Sequence, residues 1–209
     1  MQTTGVYIED DYNKVMDAFM KLLKEEYSGY RALFGFPREN INANKFFIDR
    51  GNKCLDSCLD MRLATNCFNA INTKISIIKI TEESFDFYAA FHDKHFVNSY
   101  WTSDRLRKEL DKWHIFVYGE EQIEASIFIT FCNEDTIEIF GVAISEENKK
   151  EGLKEKLISA ALKEIFKEYP TIKNTIFFID DNEEEDLRIA NALGFNYFNS
   201  YRCYEWQIG

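Results

Sequence analysis

Proline and glycine are scarce in this sequence, with 2 and 9 residues among 209. Low-complexity and disordered chains are usually rich in such residues, whereas this chain carries 19 Phe and 11 Tyr, enough apolar material for a core. Long hydrophobic runs are missing too, and Met1 is followed by polar residues rather than by the apolar part of a signal peptide. We therefore expect a compact cytoplasmic protein that does not enter a membrane.

Cysteine and histidine are few and scattered, which argues against metal sites and disulfide frameworks. The cysteines are an odd number without a C-x-x-C pair, whereas zinc sites and disulfide scaffolds need closer spacing. His92 and His95 could share one helix face, but no further ligands cluster near them. We expect no metal centre, and reduced, buried thiols at Cys54, Cys58, Cys67, Cys132 and Cys203.

Positive charge is also in short supply, and the deficit is confined to one part of the chain. The net charge is −11; residues 1–74 hold ten acidic and ten basic residues, and residues 75–209 hold 26 acidic and 15 basic ones. This step in composition predicts a domain boundary near Asn72–Thr73. Nucleic-acid binding requires a basic surface, so we expect no nucleic-acid partner.

One pattern occurs twice in the chain, at a constant offset of about 143 residues. Gly51 aligns with Gly194, Phe34 with Phe177, and the apolar positions of two amphipathic segments agree as well. Each copy predicts a helix, a short strand, a second helix that ends at glycine, and a returning strand. The second copy ends a longer unit, and the first begins almost at Met1. The pattern therefore predicts a half domain followed by a complete domain of the same ancestry.

Residues 75–209 contain the elements of a complete α/β domain. Runs rich in β-branched and aromatic residues favour strands, and Pro170 and Gly194 mark the ends of two helices. The predicted strands are Ile75–Ile80, Trp113–Tyr118, Ile123–Phe131, Thr136–Ile144, Asn174–Ile179 and Phe195–Gln207. The predicted helices are Phe85–Phe91, Ser103–Lys112, Lys149–Tyr169 and Glu183–Leu193.

Three stretches of this unit resemble the GNAT superfamily of acyl-CoA-dependent N-acyltransferases. Glu138–Ile144 resembles the fourth strand of that family, Lys149–Lys154 stands at the place of its Arg/Gln-x-x-Gly-x-Gly/Ala loop, and Leu187–Phe195 resembles its helix ending in Leu-Gly-Phe. In the first copy, Asn40–Gly51 resembles the same helix. The resemblance implies a GNAT-like α/β fold, with a mixed, mostly antiparallel sheet flanked by helices.

The resulting domain organisation is a half GNAT-like domain over residues 1–72 and a complete GNAT-like domain over residues 73–209. A helix, a strand, a helix and a returning strand cannot bury both faces of a sheet alone. We expect the half domain to pack on the complete domain or to mediate a homodimer through exposed strand edges.

The resemblance also implies a binding site for acetyl-CoA as co-substrate. In the family, backbone N–H groups at a helix N-terminus hold the pyrophosphate, and glycine lets the phosphate approach. This chain keeps Gly152 but has Lys154 where a small residue is usual. The lysines either add charge to the phosphate site, or Lys154 crowds it and the segment is an ordinary helix start. The binding residues that the resemblance implies are Val142, Ala143, Ile144, Lys149, Lys150, Gly152, Leu153 and Lys154.

Glu138 is the candidate general base, because it lies near the place where one branch of the family carries its base. A carboxylate beside an apolar strand can deprotonate an ammonium if burial raises its pKa. The alternative is a solvent-facing residue that alternates with Ile137 and Ile139. Many members place a Tyr on the last helix to protonate the leaving thiolate, and Ala190 stands at that position here. Tyr197 and Tyr201 in the following strand could substitute for that Tyr, but we expect both to be buried packing residues.

Two further groups of residues concern the acceptor. An acidic run over residues 180–186 surrounds the start of the last helix, where it can cap the helix or attract a cationic amine. Phe96, Tyr100 and Trp101 either wall an acceptor site or belong to the core. The leading hypothesis is acetyl-CoA-dependent acetylation of a small-molecule or peptide amine, in particular a cationic one. The alternative is a non-catalytic acyl-CoA-binding or protein-interaction module that keeps the fold.

Overall fold

The structure is a computed structural model that describes residues 11–72, 75–97, 99–148 and 150–209. Among these residues, no helix is both long enough and apolar enough to cross a bilayer. The helices are α1 (Tyr12–Tyr27), α2 (Ile41–Asp49), α3 (Phe85–His95), α4 (Ser103–Lys108), α5 (Leu153–Glu168) and α6 (Glu184–Leu193). The strands are β1 (Arg31–Pro37), β2 (Cys54–Ala64), β3 (Ile78–Lys79), β4 (Trp113–Tyr118), β5 (Ala125–Asn133), β6 (Thr136–Ile144), β7 (Asn174–Asp180) and β8 (Asn196–Gln207).

The eight strands form a mostly antiparallel sheet in the order β1-β8-β2-β7-β6-β5-β4-β3. The chain has two compact units, which share the strands β2, β7 and β8. The first contains the described residues up to Asp60 together with Ile179–Glu183 and Tyr197–Gly209. The second contains Met61–Phe178 and Glu184–Asn196. This α/β architecture, with helices flanking the sheet, confirms the predicted fold class.

The second unit is built around the antiparallel strands β3 to β6. Alternation along these strands buries Ile127, Ile129 and Ile137 on one face, and α5 packs against β5 and β6. On the other face, side chains of β4 and β5 form a core with Phe85 and Tyr88 of α3. The strands are therefore covered on both sides in this unit.

The first unit has a small aromatic core. Phe46 and Phe47 of α2 pack against Met20 of α1 and Tyr204 of β8. The Tyr204 hydroxyl donates a hydrogen bond to the Asn44 side-chain oxygen at 2.9 Å, so its buried polar end is satisfied. Strand β1 pairs antiparallel with β8 along its whole length.

The repeated pattern in the sequence corresponds to repeated structure. The first and last residues of β7 lie one repeat offset after the first and last residues of β1. The first residue of α6 lies the same offset after the first residue of α2. Helices α1 and α5 agree with this offset within two residues. The order of elements in the first copy is therefore the one predicted. The boundary at residues 72 and 73 stays a prediction, since the compact units are defined by contacts rather than by ancestry.

Several local predictions were wrong. The strand predicted over Ile75–Ile80 is reduced to Ile78–Lys79, which pairs with β4. The helix predicted from Lys149 begins at Leu153, because Gly152 adopts a left-handed conformation before it. The cysteines are not buried: Cys54, Cys67 and Cys132 are exposed, and the other two are half-buried.

Candidate functional site

Strands β6 and β7 pair over only part of their length. Their parallel ladder runs from the pair Thr136–Asn174 to the pair Ile139–Phe177, although β6 continues to Ile144. On its other side, β6 has a bulge at Phe140: the neighbouring residues Ile139 and Gly141 pair with consecutive residues of β5, and Phe140 has no partner in that ladder. Residues 140–144 of β6 therefore have backbone groups on the β7 side that lie outside the described ladder. An extended ligand can bind such groups as a strand would.

Aromatic rings pack closely on this bulge. A Cβ atom on Gly141 would lie 2.3 Å from Phe128 Cε1 and 2.8 Å from Phe96 Cε1, so this position requires glycine. The Phe140 ring is exposed and lies 5.5 Å, between centroids, from both Trp113 and Phe128. The bulge thus has an aromatic surface on the side of α3 and α4.

Glu138 precedes the bulge on the same face of the sheet. It is the cross-strand neighbour of Thr130, which is in turn the neighbour of Trp113, and its side chain is half-buried. The Cys132 thiol donates a hydrogen bond to Glu138 Oε2, with 3.6 Å between Sγ and the oxygen. Although the residue is exposed, partial desolvation of its sulfur raises the pKa of the Cys132 thiol to about 11, and the carboxylate of Glu138 adds to this effect. The two groups therefore stay a neutral thiol and its acceptor at neutral pH.

Glu138 alternates with the buried Ile137 and Ile139, as the sequence indicates. It lies in the paired part of β6, opposite Ile176 and one residue before the last pair of the ladder, Ile139–Phe177. The predicted opening of its carboxylate toward a ligand stays a prediction.

The loop before α5 presents backbone donors. Gly152 has φ +71°, a left-handed conformation that favours glycine, and it caps α5. The Leu153 N–H donates to the Lys150 carbonyl. The N–H groups of Lys154 and Glu155 follow in the first turn, where helix geometry provides no intrahelical acceptor. Lys149 lies outside the described residues. The helix start therefore provides the kind of N-terminus to which anions bind.

The two described lysines of the predicted loop are held by carboxylates of the same chain. Lys150 Nζ lies 2.7 Å from Glu124 Oε2, and this hydrogen bond raises the lysine pKa. Lys154 Nζ lies 2.5 Å from Asp186 Oδ1 of α6, and both side chains are largely buried. The ion pair turns the Lys154 ammonium toward α6, an outcome that differs from both alternatives considered from the sequence.

Lys156 is a basic residue of this loop region that the sequence motif did not identify. Its Nζ lies 3.8 Å from the position that a Cβ on Gly152 would take, so the ammonium lies back over the helix N-terminus. Among the described residues it forms no ion pair. A residue four positions into a helix lies above its start, and this spacing is the signal that could have found it.

The other residues of the predicted chemistry lie apart from these groups. Ala190 is fully buried in α6, with no functional atom on its side chain. Tyr197 was expected to be buried but is 56% exposed, and its hydroxyl donates to Ser200 Oγ at 3.4 Å. Tyr201 is half-buried in β8. Val142 and Ile144 are half-buried on β6, whereas the side chains of Ala143 and Leu153 are buried.

The aromatic residues between α3 and α4 divide between the two alternatives. Phe96 and Trp101 pack against the core, and Tyr100 is exposed. His92 fixes this segment: its Nε2–H donates to the Trp101 carbonyl at 2.6 Å, and its Nδ1 accepts from the Tyr88 hydroxyl at 2.7 Å. Burial lowers the pKa of His92, in agreement with this neutral form. The segment beside the bulge is therefore anchored.

The acidic run is largely explained by helix capping. Glu184, Glu185 and Asp186 occupy the first turn of α6, where carboxylates interact favourably with the helix dipole. Asp186 also binds Lys154, so its charge is partly neutralised.

Comparison with known proteins identifies the fold. No protein-family model and no curated protein matches the sequence. A tandem GNAT protein from the clavulanic acid biosynthesis pathway is 11% identical over 97% of this chain and 72% of its own, with a TM-score of 0.66. A GCN5-related N-acetyltransferase from Kribbella flavida is 12% identical over 92% and 74%, with a TM-score of 0.65. A functionally unknown conserved protein from Staphylococcus epidermidis ATCC 12228 is 15% identical over 97% and 82%, with a TM-score of 0.67.

These sequence identities are too low to assign an activity to this chain, but the structural likeness extends over nearly its whole length. The chain therefore has the fold of the GCN5-related N-acetyltransferase (GNAT) superfamily, which confirms, at the level of fold, the resemblance seen in its sequence.

Proposed function

We propose that the protein is an acetyl-CoA-dependent N-acetyltransferase that acts on a small-molecule or peptide amine. The observation that carries the proposal is the end of the β6–β7 ladder at Ile139 in a GNAT fold. Parallel pairing along the whole of β6 would leave no free backbone groups for an extended ligand. The stretch beyond the ladder instead offers, on the β7 side, backbone groups between Phe140 and Ile144, and the first turn of α5 offers amides.

The residues of the loop fit the phosphates of a coenzyme A thioester. Gly152 supplies a backbone without a side chain, and the first-turn amides of Lys154 and Glu155 supply donors. Lys156 adds a cation beside Gly152, where the helix dipole disfavours positive charge unless an anion is bound. The backbone of Val142, Ala143 and Ile144 would hold the extended part of the ligand, which supplies an activated acetyl group.

Glu138 would accept the proton of the acceptor ammonium at its carboxylate, because an amine reacts only as the free base. The exposed ring of Phe140 lies on the same side of the sheet as Glu138, and the face of an aromatic ring attracts ammonium groups. The excess of acidic residues over residues 75–209 favours the approach of a cationic amine. These features support a cationic acceptor. The proposed localisation is cytoplasmic.

One observation favours a second candidate, an acyl-CoA-binding module without catalysis. Ala190 stands where many members of the family carry the Tyr that protonates the leaving thiolate, and its side chain cannot donate a proton. Both candidates predict binding of acetyl-CoA, and they differ only in turnover.

The proposed activity is tested by release of free thiol from acetyl-CoA with a panel of cationic amines and basic peptides, and by mass spectrometry of the acetylated product. We expect Glu138→Gln to lower the rate by ~10²–10⁴-fold at neutral pH and to recover part of it as pH rises. Glu134→Gln, an exposed acid in the turn before β6, is the matched control. Binding without amine-dependent thiol release across the panel would support the second candidate, and an unaffected Glu138→Gln enzyme would exclude the carboxylate as the base.

A further inference from the structure

Helix α1 exposes a stripe of apolar side chains. Val15, Phe19 and Leu22 lie on one face of the helix at the spacing i, i+4, i+7, and their residues are 41%, 38% and 53% exposed. The neighbouring face carries Met16 and Met20, which pack into the aromatic core of the first unit. Phe19 also contacts the Phe34 ring of β1, at 6.5 Å between ring centroids, but the stripe keeps apolar surface exposed beyond that contact.

The second copy of the repeat shows what covers such a stripe. At the offset of the repeat, the equivalent side chains on α5 are those of Ile158, Leu162 and Ile165, and each is 0% exposed. Helix α5 packs against β5 and β6. In that copy, the apolar stripe is thus buried by strands that extend the sheet beyond β7.

The strand beneath α1 has a matching open edge. Strand β1 is the equivalent of β7, and β7 pairs in parallel with β6. Strand β1 stands at the end of the sheet, with β8 as its neighbour. No charged residue interrupts the strand after Arg31, and its Phe34 lies on the side of α1, against Phe19. An apolar edge of this kind is a template for the addition of another strand.

We propose that this surface, formed by the stripe of α1 and the free edge of β1, binds a second copy of the chain to form a two-fold symmetric dimer. The occupant must supply a strand edge and an apolar face, and the surface itself supplies both, so it is self-complementary about a two-fold axis.

The distribution of charge along the chain favours the same surface. Residues 1–74 carry equal numbers of acids and bases, whereas residues 75–209 carry eleven excess negative charges. Two copies of this acidic chain repel each other least where the neutral segments meet. The dimer does not depend on the proposed activity.

The experiment is sedimentation velocity of the full chain over a concentration series up to about 100 µM, a range that detects dimers of micromolar affinity. We expect the wild-type chain to be dimeric. Leu22→Glu should weaken the dimer at least about tenfold, since it places a charge in an apolar interface. Ile48→Glu on α2 is the matched control, because Ile48 is 54% exposed and lies outside the stripe. It should dimerise like the wild type.

Circular dichroism is the control that checks whether both variants are folded. A second measurement is hydrogen exchange, in which the β1 amides should gain protection with increasing protein concentration. A wild-type chain that stays monomeric at the highest concentration would overturn the proposal and leave the surface to a different partner. A Leu22→Glu variant that dimerises as the wild type does would overturn it equally.

Discussion

Replacing Glu138 with Gln is expected to make the Cys132 thiol more reactive, whether or not the protein is an enzyme. The thiol donates to Glu138 Oε2 across 3.6 Å, and loss of its proton would place two negative charges in contact. Three effects raise the thiol pKa from 9.0 to about 11: partial desolvation of the sulfur first, then the charge of Glu138 and its hydrogen bond. A neutral amide keeps the acceptor and removes the charge.

The size of the effect follows from the thiolate fraction. With a pKa of about 11, the thiolate makes up ~0.1% of Cys132 at pH 8, compared with ~10% for an unshifted thiol. Desolvation of the sulfur is the larger cause and persists in the variant, so we expect only part of the pKa shift to be lost. A decrease of about 0.5 to 1 pKa unit would raise the thiolate fraction roughly three- to tenfold.

The assay is alkylation by iodoacetamide between pH 7 and 9, with Cys132 and the exposed Cys54 followed separately by peptide mass spectrometry. Cys54 is the internal reference and should react equally in all variants. Glu134→Gln is the matched control, since it removes a nearby exposed charge without touching the thiol. A Cys132 rate that changes less than about twofold in Glu138→Gln would refute the contact on which the argument depends.

Three further predictions concern binding and stability. Lys156→Ala should weaken acetyl-CoA binding about tenfold in calorimetry, because it removes the cation beside Gly152, whereas Lys167→Ala at the other end of α5 should not. Gly141→Ala should destabilise the fold by about 1–3 kcal/mol in urea unfolding, because its Cβ would clash with aromatic rings. Burial and Lys79 lower the pKa of His114 to about 4, so stability should fall as pH drops from about 6.5 toward 4, by roughly 2 kcal/mol at pH 5, and fall less in His114→Phe.

Much of the fold could be predicted because local pattern and long-range repetition agree. Runs rich in β-branched and aromatic residues predicted β4 and β6 with their observed bounds, and glycine correctly marked the end of α6. The internal repeat linked α1 and β1 to α5 and β7 although almost every residue differs. Motif order then indicated the GNAT fold, which the solved structures share.

The contacts at the candidate site and the exposure of α1 depend on which side chains meet in space. The sequence carries little signal for these contacts. Lys154 could have faced a phosphate or solvent, and its capture by Asp186 follows from the placement of α6 beside α5. The exposure of Val15 and Leu22 was likewise hidden, because their apolar pattern is the same as that of buried residues on α5. The pattern reports which face is apolar and does not report whether a partner covers it.

Isothermal titration of the full chain with acetyl-CoA is the decisive experiment for the proposed cofactor site. We expect saturable binding, weakened at least about tenfold by Gly152→Val, because a branched side chain is strained at φ +71° and obstructs the first-turn amides. Gly209→Val, a substitution at a glycine with nothing within 4 Å, is the matched control and should bind as the wild type does. No detectable heat and no thermal stabilisation of the folded chain at millimolar acetyl-CoA would contradict the account.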